Sequence, residues 1–369
     1  MSDLHSETPR HDGFRMPGEH ERHQAILMAW PHRTDNWRDG ALPAQRAFTD
    51  LAIAIDEVTP VIMCVSPEHF DAAREMLPPS IDLVSIPSDD SWMRDIGPSY
   101  VVNDDGELRG VDWPFNAWGG VVNGLYDSWE HDDALASQLL ALRGEGRYRA
   151  PLVLEGGSIH VDGEGTCITT AECLLHPGRN PDMDKSEITQ FLGEYLNVTK
   201  VIWLPNGLFN DETDGHVDNI VHFVSPGVLV LTWCDDPEDP VYDICRSALA
   251  VLEAETDAQG RQLEVHKLPM PGPLFIAETE AAGVEQTVSM SREAGVRLAA
   301  SYTNFLITNG RLIFPLLDDR HDAVVADRLT VLFPEREIVG VPAREILLGG
   351  GNIHCVTQQV PHSRVTPAS

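Results

Sequence analysis

Two short stretches, far apart in the chain, read almost alike. Residues 154–161 are LEGGSIHV and residues 348–355 are LGGGNIHC. Both follow the pattern L-x-G-G-[S/N]-I-H plus one further residue. A loop carried twice points to a repeated supersecondary unit, and such units bury their apolar faces only against one another. The surroundings agree. SYVVNDDGELRGV, GSIHVDGEGTCIT, VDNIVHFVSPGVLVLT and NFLITNGRLIFP each place two apolar runs around a turn rich in Gly, Asp, Asn or Pro. The NG turn of FLITNGRLIF is the strongest of these hairpin signals. Between them PAQRAFTDLAIAIDEV, KSEITQFLGEYL and DICRSALAVLEAE carry apolar residues at helical spacing. No Pro/Gly/Ser linker or low-complexity stretch interrupts the alternation. The expected architecture is one continuous α/β domain over residues 21–361, built from hairpin-plus-helix units. Residues 1–20 are expected to form a mobile tail and 362–369 a short C-terminal tail.

Composition narrows the class. A chain of 369 residues, 42% hydrophobic and 23% charged, has the make-up of a soluble globular enzyme. Its longest apolar runs, such as PVIMCV and VLVLTW, are of strand length, far below the ~18 residues of a membrane helix. The first residues lack an apolar signal core, so a cytoplasmic location is expected. Six cysteines, at 64, 167, 173, 234, 245 and 355, show no framework spacing and are expected to be reduced. Cys167, Cys173 and His176 form no CxxC pair and lack a clear fourth ligand, so no zinc site is expected. Cys64, Cys167 and Cys234 lie in strand-like runs and read as small buried hydrophobes. The net charge of −32, from 58 acidic and 26 basic residues, argues against nucleic acid or an anionic membrane as partner. It favours a cationic ligand, and it equally serves solubility or a salty interior.

Four stretches combine reactive side chains with turn residues. SDDSWMRDIGPSY sets Asp89, Asp90 and Asp95 around Trp92 and Arg94. Carboxylates beside an aromatic face suit a planar cation, hydrogen-bonded at its edge and stacked on its face. A solvated acidic turn beside a core tryptophan reads the same way. Glu155 precedes the glycines of the first repeated loop, where a surface glutamate is equally at home. In NDETDGHVDN, His216 and Asp218 lie two apart at the expected start of a strand, hence on one face. Such a pair is a general acid/base with its charge partner, or a structural hydrogen bond. Cys355 follows GGGNIH, where glycines permit close approach. It is a nucleophile if a positive group favours its thiolate, and otherwise a structural thiol.

The repeat ties these stretches together. Copies arranged around an axis bring both loops to the centre, so Glu155 and Cys355 face one pocket with the histidine, the carboxylates and the tryptophan. A protease-like site would want an oxyanion hole and no carboxylates around the carbon under attack. A guanidinium carbon is different. Carboxylates hold the cation, and thiolate addition yields a nearly neutral tetrahedral adduct.

These residues resemble the agmatine deiminase (agmatine iminohydrolase) group of the guanidine-modifying pentein superfamily, in the peptidylarginine-deiminase-like family. The resemblance rests on MAWPHRTDNWRDGALPAQRAF, DDSWMRDIGPS, GVDWPFNAWGG, LEGGSIHVDGEGTCITTAECLL, DGHVDN, RLAASYTNFLITNG and AREILLGGGNIHCVTQQVP, from about residue 15 to 361. It implies a five-bladed, pseudo-symmetric α/β propeller with a central site. The implied reaction converts agmatine and water to N-carbamoylputrescine and ammonia, in polyamine biosynthesis. In the implied roles, Cys355 forms an amidino-thioether and His216 protonates the departing ammonia, then activates water. Glu155 orients that histidine, and Asp95 and Asp218 grip the guanidinium against Trp92. Asp90 and Trp118 are implied to line the pocket. No metal or organic cofactor is implied, and family precedent is a homo-oligomer. The segment NDETDGH is about one residue shorter than the acidic loop of plant-like members, which bears on contacts to the far amine.

Two rivals stand beside this reading. A deiminase of another guanidine, free or peptidyl arginine, is the nearer. For free arginine it would need a cation for the α-carboxylate, and in these stretches only Arg94 is cationic. A related transferase would use the same thiol to pass the amidino group to an amine and is separated by its product. A non-catalytic polyamine-binding protein would need the carboxylates and tryptophan but neither Cys355 nor His216.

Overall fold

Every hairpin expected from the sequence forms, and each is extended by a third strand. The computed structural model describes residues 4–287 and 292–363. In chain order the strands are β1 (His23–Ala29), β2 (Val61–Val65), β3 (Asp82–Ser85), β4 (Ser99–Val102), β5 (Leu108–Asp112), β6 (Gly146–Arg149), β7 (Ile159–Val161) and β8 (Thr166–Thr170). They continue as β9 (Lys200–Leu204), β10 (Val221–Ser225), β11 (Val228–Trp233), β12 (Glu264–Pro269), β13 (Leu306–Ile307), β14 (Arg311–Leu316), β15 (Glu337–Pro342) and β16 (Thr357–Pro361). They make five sheets: β4-β5-β6, β7-β8-β9, β10-β11-β12, β13-β14-β15 and β16-β1-β2-β3. In each, an antiparallel pair is followed by a parallel strand. A parallel neighbour cannot be reached by a tight turn, so a crossover is required. The helices Glu130–Arg143, Lys185–Leu196, Val241–Ala254, Asp322–Leu332 and Leu42–Asp56 supply it, one per blade. The fold is a five-bladed α/β propeller.

The fifth blade closes the ring. Its antiparallel pair comes from the two ends of the chain, with Ile26 opposite Gln359 and Met28 opposite Thr357. β2, VIMCV, is buried along its whole length because helix and neighbouring blades cover both faces. The helix Leu42–Asp56 buries Phe48, Leu51, Ala52 and Ile55, one stripe at helical spacing. A capping box, Asp184 with Glu187, starts the helix Lys185–Leu196, and Asn197 ends it in the left-handed conformation at φ 56°. No described helix is long and apolar enough to cross a membrane.

Three expectations are corrected. Residues 4–20, expected within a mobile tail, are packed. Arg15 and Val102 exchange backbone hydrogen bonds at 2.9 and 2.8 Å, and Met16 N donates to the carbonyl of Leu196 at 3.0 Å. Phe14 is buried, and so is the charged Glu19. Their apolar content is too low to announce a core segment, because much of the attachment runs through backbone and polar side chains, Asp12 accepting from Arg109 and Tyr148 and Thr8 donating to Glu194. Residues 1–3 and 364–369 of the expected tails lie outside the described residues. Secondly, His216 and Asp218 do not start a strand. His216 caps the 3-10 turn Val217–Asn219, ahead of β10. Thirdly, the repeated loops differ locally. His160 lies in β7, whereas His354 and Cys355 occupy a turn before β16.

Candidate active site

The site assembles where each blade receives its first strand. The short helix Met93–Ile96, the 3-10 turns Gly156–Ser158 and Val217–Asn219, and the segments around Asn304 and Gly349–Val356 all end there. The two repeated loops meet, the rings of His160 and His354 stacking with centroids 5.0 Å apart. Glu155, expected to face the pocket with Cys355, is instead fully buried behind His216 and does not line it. Backbone bonds pin the loops together. Arg94 N donates to the carbonyl of Cys355 at 3.1 Å, and Gly157 N donates to Asp95 Oδ1 at 2.9 Å.

A cavity opens at this junction. Trp92, Asp95, Trp118, His216 and Cys355 border it, with the acidic loop residues Asp211 and Glu212 and the three glycines 349–351. No lysine or arginine does so among the described residues. The glycines before Cys355 make room for aromatic rings. A Cβ on Gly349 would lie 2.2 Å from the Trp37 ring and one on Gly351 2.4 Å from the Trp92 ring. Gly350 turns the chain at φ 109°, which side chains rarely adopt.

Cys355 is 7% exposed. Its Sγ accepts from Asn304 Nδ2 at 3.2 Å and lies 3.6 Å from Asp218 Oδ2. Burial, then Asp218 and Asp95, push the thiol well above its usual range, and the Asn352 backbone and Asn304 only partly offset this. The empty site therefore holds a thiol. A cation placed between sulfur and carboxylates reverses the two charge effects and favours thiolate.

His216 stands between two carboxylates. Nδ1 is 3.9 Å from Asp95 Oδ1, and Nε2 is 3.6 Å from Glu155 Oε2. Burial opposes its charge, but Asp95, the Cys173 thiol and Glu155 outweigh burial and raise its pKa well above 6.5. Glu155 is pressed upward by burial, yet Arg179 and His216 hold it down at about 2. Arg179 Nε donates to Glu155 Oε1 at 2.9 Å and its Nη2 to the carbonyl of Thr213 at 2.8 Å. Asp95 is raised to about 6 by burial, opposed by His216 and reinforced by Asp218 and Glu155. Its other oxygen accepts from Trp118 Nε1 at 2.9 Å.

Asp218 does not itself border the cavity. Its Oδ2 bonds His354 Nδ1 at 2.8 Å, and His354 Nε2 bonds Glu19 Oε2 at 2.9 Å. Oδ1 has no hydrogen-bond partner. Burial and Arg94 disfavour charge on His354, but Glu19 and Asp218 raise its pKa overall. A cationic His354 thus holds Asp218 ionised beside the thiol. Asp90 is placed differently from its implied role. It sits behind the cavity wall, accepting from Asn36 Nδ2 at 2.8 Å, Trp37 Nε1 at 2.7 Å and Trp92 Nε1 at 2.9 Å. Its carboxylate is spent on orienting the two indoles, which stack with centroids 5.3 Å apart. Trp118 borders the cavity, edge-on to Trp92 at 6.4 Å. Asp89 is turned away, bonding the N-terminal backbone of the helix Glu130–Arg143.

The sequence left Glu19, Arg179 and Asn304 unmarked, and gave no role in the site to Cys173 or to the acids Asp211 and Glu212. Asp211 Oδ2 accepts from His216 N at 3.1 Å and Asn219 Nδ2 at 3.0 Å, so it shapes the turn that presents the histidine. One signal was available for Asn304. A Ser or Asn followed by an apolar residue recurs at blade entries, as Ser158-Ile159, Asn219-Ile220, Asn304-Phe305 and Asn352-Ile353.

A family model, Porphyromonas-type peptidyl-arginine deiminase, matches residues 15–361. The chain belongs to this family. Within the deiminase family it is 60% identical to a Photobacterium profundum protein over 356 residues, 96% of this chain and 98% of the relative. That relative is provisionally named an agmatine deiminase. Among solved structures, the Enterococcus faecalis agmatine deiminase described as catalysing its reaction superposes with a TM-score of 0.96. It is 46% identical, over 99% of this chain and 100% of that one. A cysteine-to-serine variant of C. jejuni agmatine deiminase with substrate bound gives a TM-score of 0.81 at 27% identity, over 95% and 97% of the two chains.

Proposed function

We propose that this protein hydrolyses agmatine to N-carbamoylputrescine and ammonia through a cysteine-bound amidino intermediate. The observation that carries the reading is the cavity itself. A thiol lies 3.6 Å from one carboxylate, a doubly carboxylate-flanked histidine stands beside it, two indoles wall it, and no described lysine or arginine borders it. A guanidinium fits these groups, and a substrate carboxylate has no partner among them. The names of the relatives point to the same substrate.

The steps follow from the charges. The guanidinium lies against Trp92 and Trp118, its N–H groups directed to Asp95 and to the free Oδ1 of Asp218. Its charge favours the thiolate, the Cys355 proton leaves to solvent, and the thiolate adds to the central carbon. Cationic His216 gives its proton to the leaving nitrogen, and ammonia departs as the amidino-thioether forms. Neutral His216, held by Glu155, then takes a proton from water. The resulting hydroxide adds to the same carbon, the C–S bond breaks, and the hydroxyl proton passes to the departing sulfur, which releases the ureido product and restores the thiol. Asp90 acts through Trp92 and Trp37 as a positioning residue.

We place the reaction in polyamine synthesis in the cytoplasm and expect a homo-oligomer, as the family resemblance implies. The deciding assay incubates the protein and Cys355→Ala with agmatine, and separately with arginine, and measures ammonia and ureido product. Agmatine turnover that vanishes in the variant supports the proposal. Arginine turnover instead would keep the thiol chemistry and overturn the substrate. A folded protein inert to both would overturn the function.

A further inference from the structure

Behind the cavity, three side chains meet in a pattern that proton transfer alone does not require. Ligand-capable atoms of Glu155, Cys173 and His216 lie within 4.8 Å of one another, and all three residues are buried. Glu155 Oε2 is 3.6 Å from His216 Nε2 and 3.9 Å from Cys173 Sγ. His216 Nε2 has no hydrogen-bond partner, although the residue is 1% exposed. An unsatisfied buried nitrogen aimed at a carboxylate and a thiol is an unfinished coordination shell. A tetrahedral zinc-type ion, bound at about 2.0–2.1 Å to nitrogen, 2.0–2.2 Å to oxygen and 2.3 Å to sulfur, spaces its ligands about 3.4–3.6 Å apart. The two separations from Glu155 are a few tenths of an ångström longer, and the cysteine and histidine ligand atoms lie within 4.8 Å of one another, so side-chain adjustment closes the shell.

We propose that Glu155 Oε2, Cys173 Sγ and His216 Nε2 form an inhibitory site for a divalent cation of the zinc class. Thiolate and imidazole select a borderline-soft ion over magnesium or calcium. Arg179 Nε stays on the other carboxylate oxygen, Oε1, at 2.9 Å and fixes its orientation from outside the shell. On binding, the ion takes the place of any proton on the imidazole nitrogen and on the thiol, and those protons leave to solvent. The fourth position is left to water. Binding removes the proton that His216 would deliver, so occupancy blocks turnover. This consequence rests on the proposed function, whereas the binding does not.

The test is a cobalt(II) titration of Cys355→Ala protein, read by thiolate-to-cobalt charge-transfer absorption. In this background Cys355 cannot supply the sulfur. The expected result is a band saturating at one equivalent that is absent from the Cys355→Ala, Cys173→Ser double variant, with affinity lower by about 100-fold or more. Circular dichroism checks its fold, and Cys173→Ala replaces serine if that variant does not fold. No band in Cys355→Ala, or an equal band without Cys173, overturns the site. In the functional arm, zinc inhibits agmatine turnover of the parent at least tenfold more strongly than that of Cys173→Ser. Equal inhibition, or none in a parent that turns over agmatine, overturns the inhibitory role. If agmatine is not turned over at all, the cobalt arm still decides the site.

Discussion

Gly157→Ala tests how closely the proposed catalytic groups are packed. A Cβ at this position would lie 2.5 Å from His216 Nδ1, 3.0 Å from Asp95 Oδ1 and 3.1 Å from Asp218 Oδ2. Ordinary contact begins near 3.4 Å, so the imidazole must retreat by roughly 0.9 Å and each carboxylate by a few tenths. Neither route is free. His216 is wedged between Asp95 and Glu155, and Asp218 is tied to His354. Gly157 is absent from the positive-φ glycines, so backbone strain does not enter. A displacement of about 1 Å in a catalytic group costs on the order of 10²-fold in rate, and overpacking a filled site costs about 1–3 kcal/mol in stability. The expected result is a fall of about 100-fold in kcat on agmatine, a smaller change in KM, and a Tm lower by a few degrees. Steady-state kinetics with thermal unfolding measures both. A folded variant within threefold of parental kcat would refute the claim that this glycine is there to admit the histidine.

Three further outcomes follow from the charges. Turnover should be bell-shaped in pH, because Asp95 must be ionised and His216 protonated. The acid limb should fall near 6 and the alkaline limb well above 6.5, and Asp95→Asn should abolish the acid limb along with most activity. Glu155, about 2 in the folded protein against 4.5 unfolded, contributes on the order of 3 kcal/mol that is complete above pH 4.5 and fades as pH falls through 2. The stability gap between parent and Glu155→Gln in urea titrations should accordingly narrow below pH 4.5, and a constant gap would contradict this account. Glu19→Gln should raise KM for agmatine about tenfold, because His354 loses the carboxylate that keeps it cationic and Asp218 loses its counter-charge. Glu19→Asp should recover part of the loss, and unchanged kinetics in both variants would remove Glu19 from the site.

Much of this was legible locally. Strand periodicity, NG-type turns and amphipathic helices are near-neighbour properties, and the chain displays them openly enough to announce hairpin-plus-helix units. The glycine loops announced that two such units are related. Cys355, His216, Glu155 and Asp95 stood out because turns and reactive side chains coincide there. Ring closure was not legible, because β1 and β16 pair across nearly the whole chain and neither strand alone states its partner. The same holds for the supporting groups. Glu19 meets His354 across a sequence separation of 335, and Asn304 meets Cys355 across 51. Arg179 and Cys173 reach Glu155 within the second blade, and Cys173 meets His216 only once the third blade docks on it. No spacing rule marks such contacts, since each is one side chain against one other. Nor could residue type alone tell that Asp90 serves two indoles while Asp95 faces the cavity: the two acids are five positions apart, and only the direction of the turn between them separates their roles. Residue types and their local order determined the repeating unit and the reactive set. Protonation states, orientations and the roles of individual carboxylates were decided by burial and by partners that only closing the ring brings within reach.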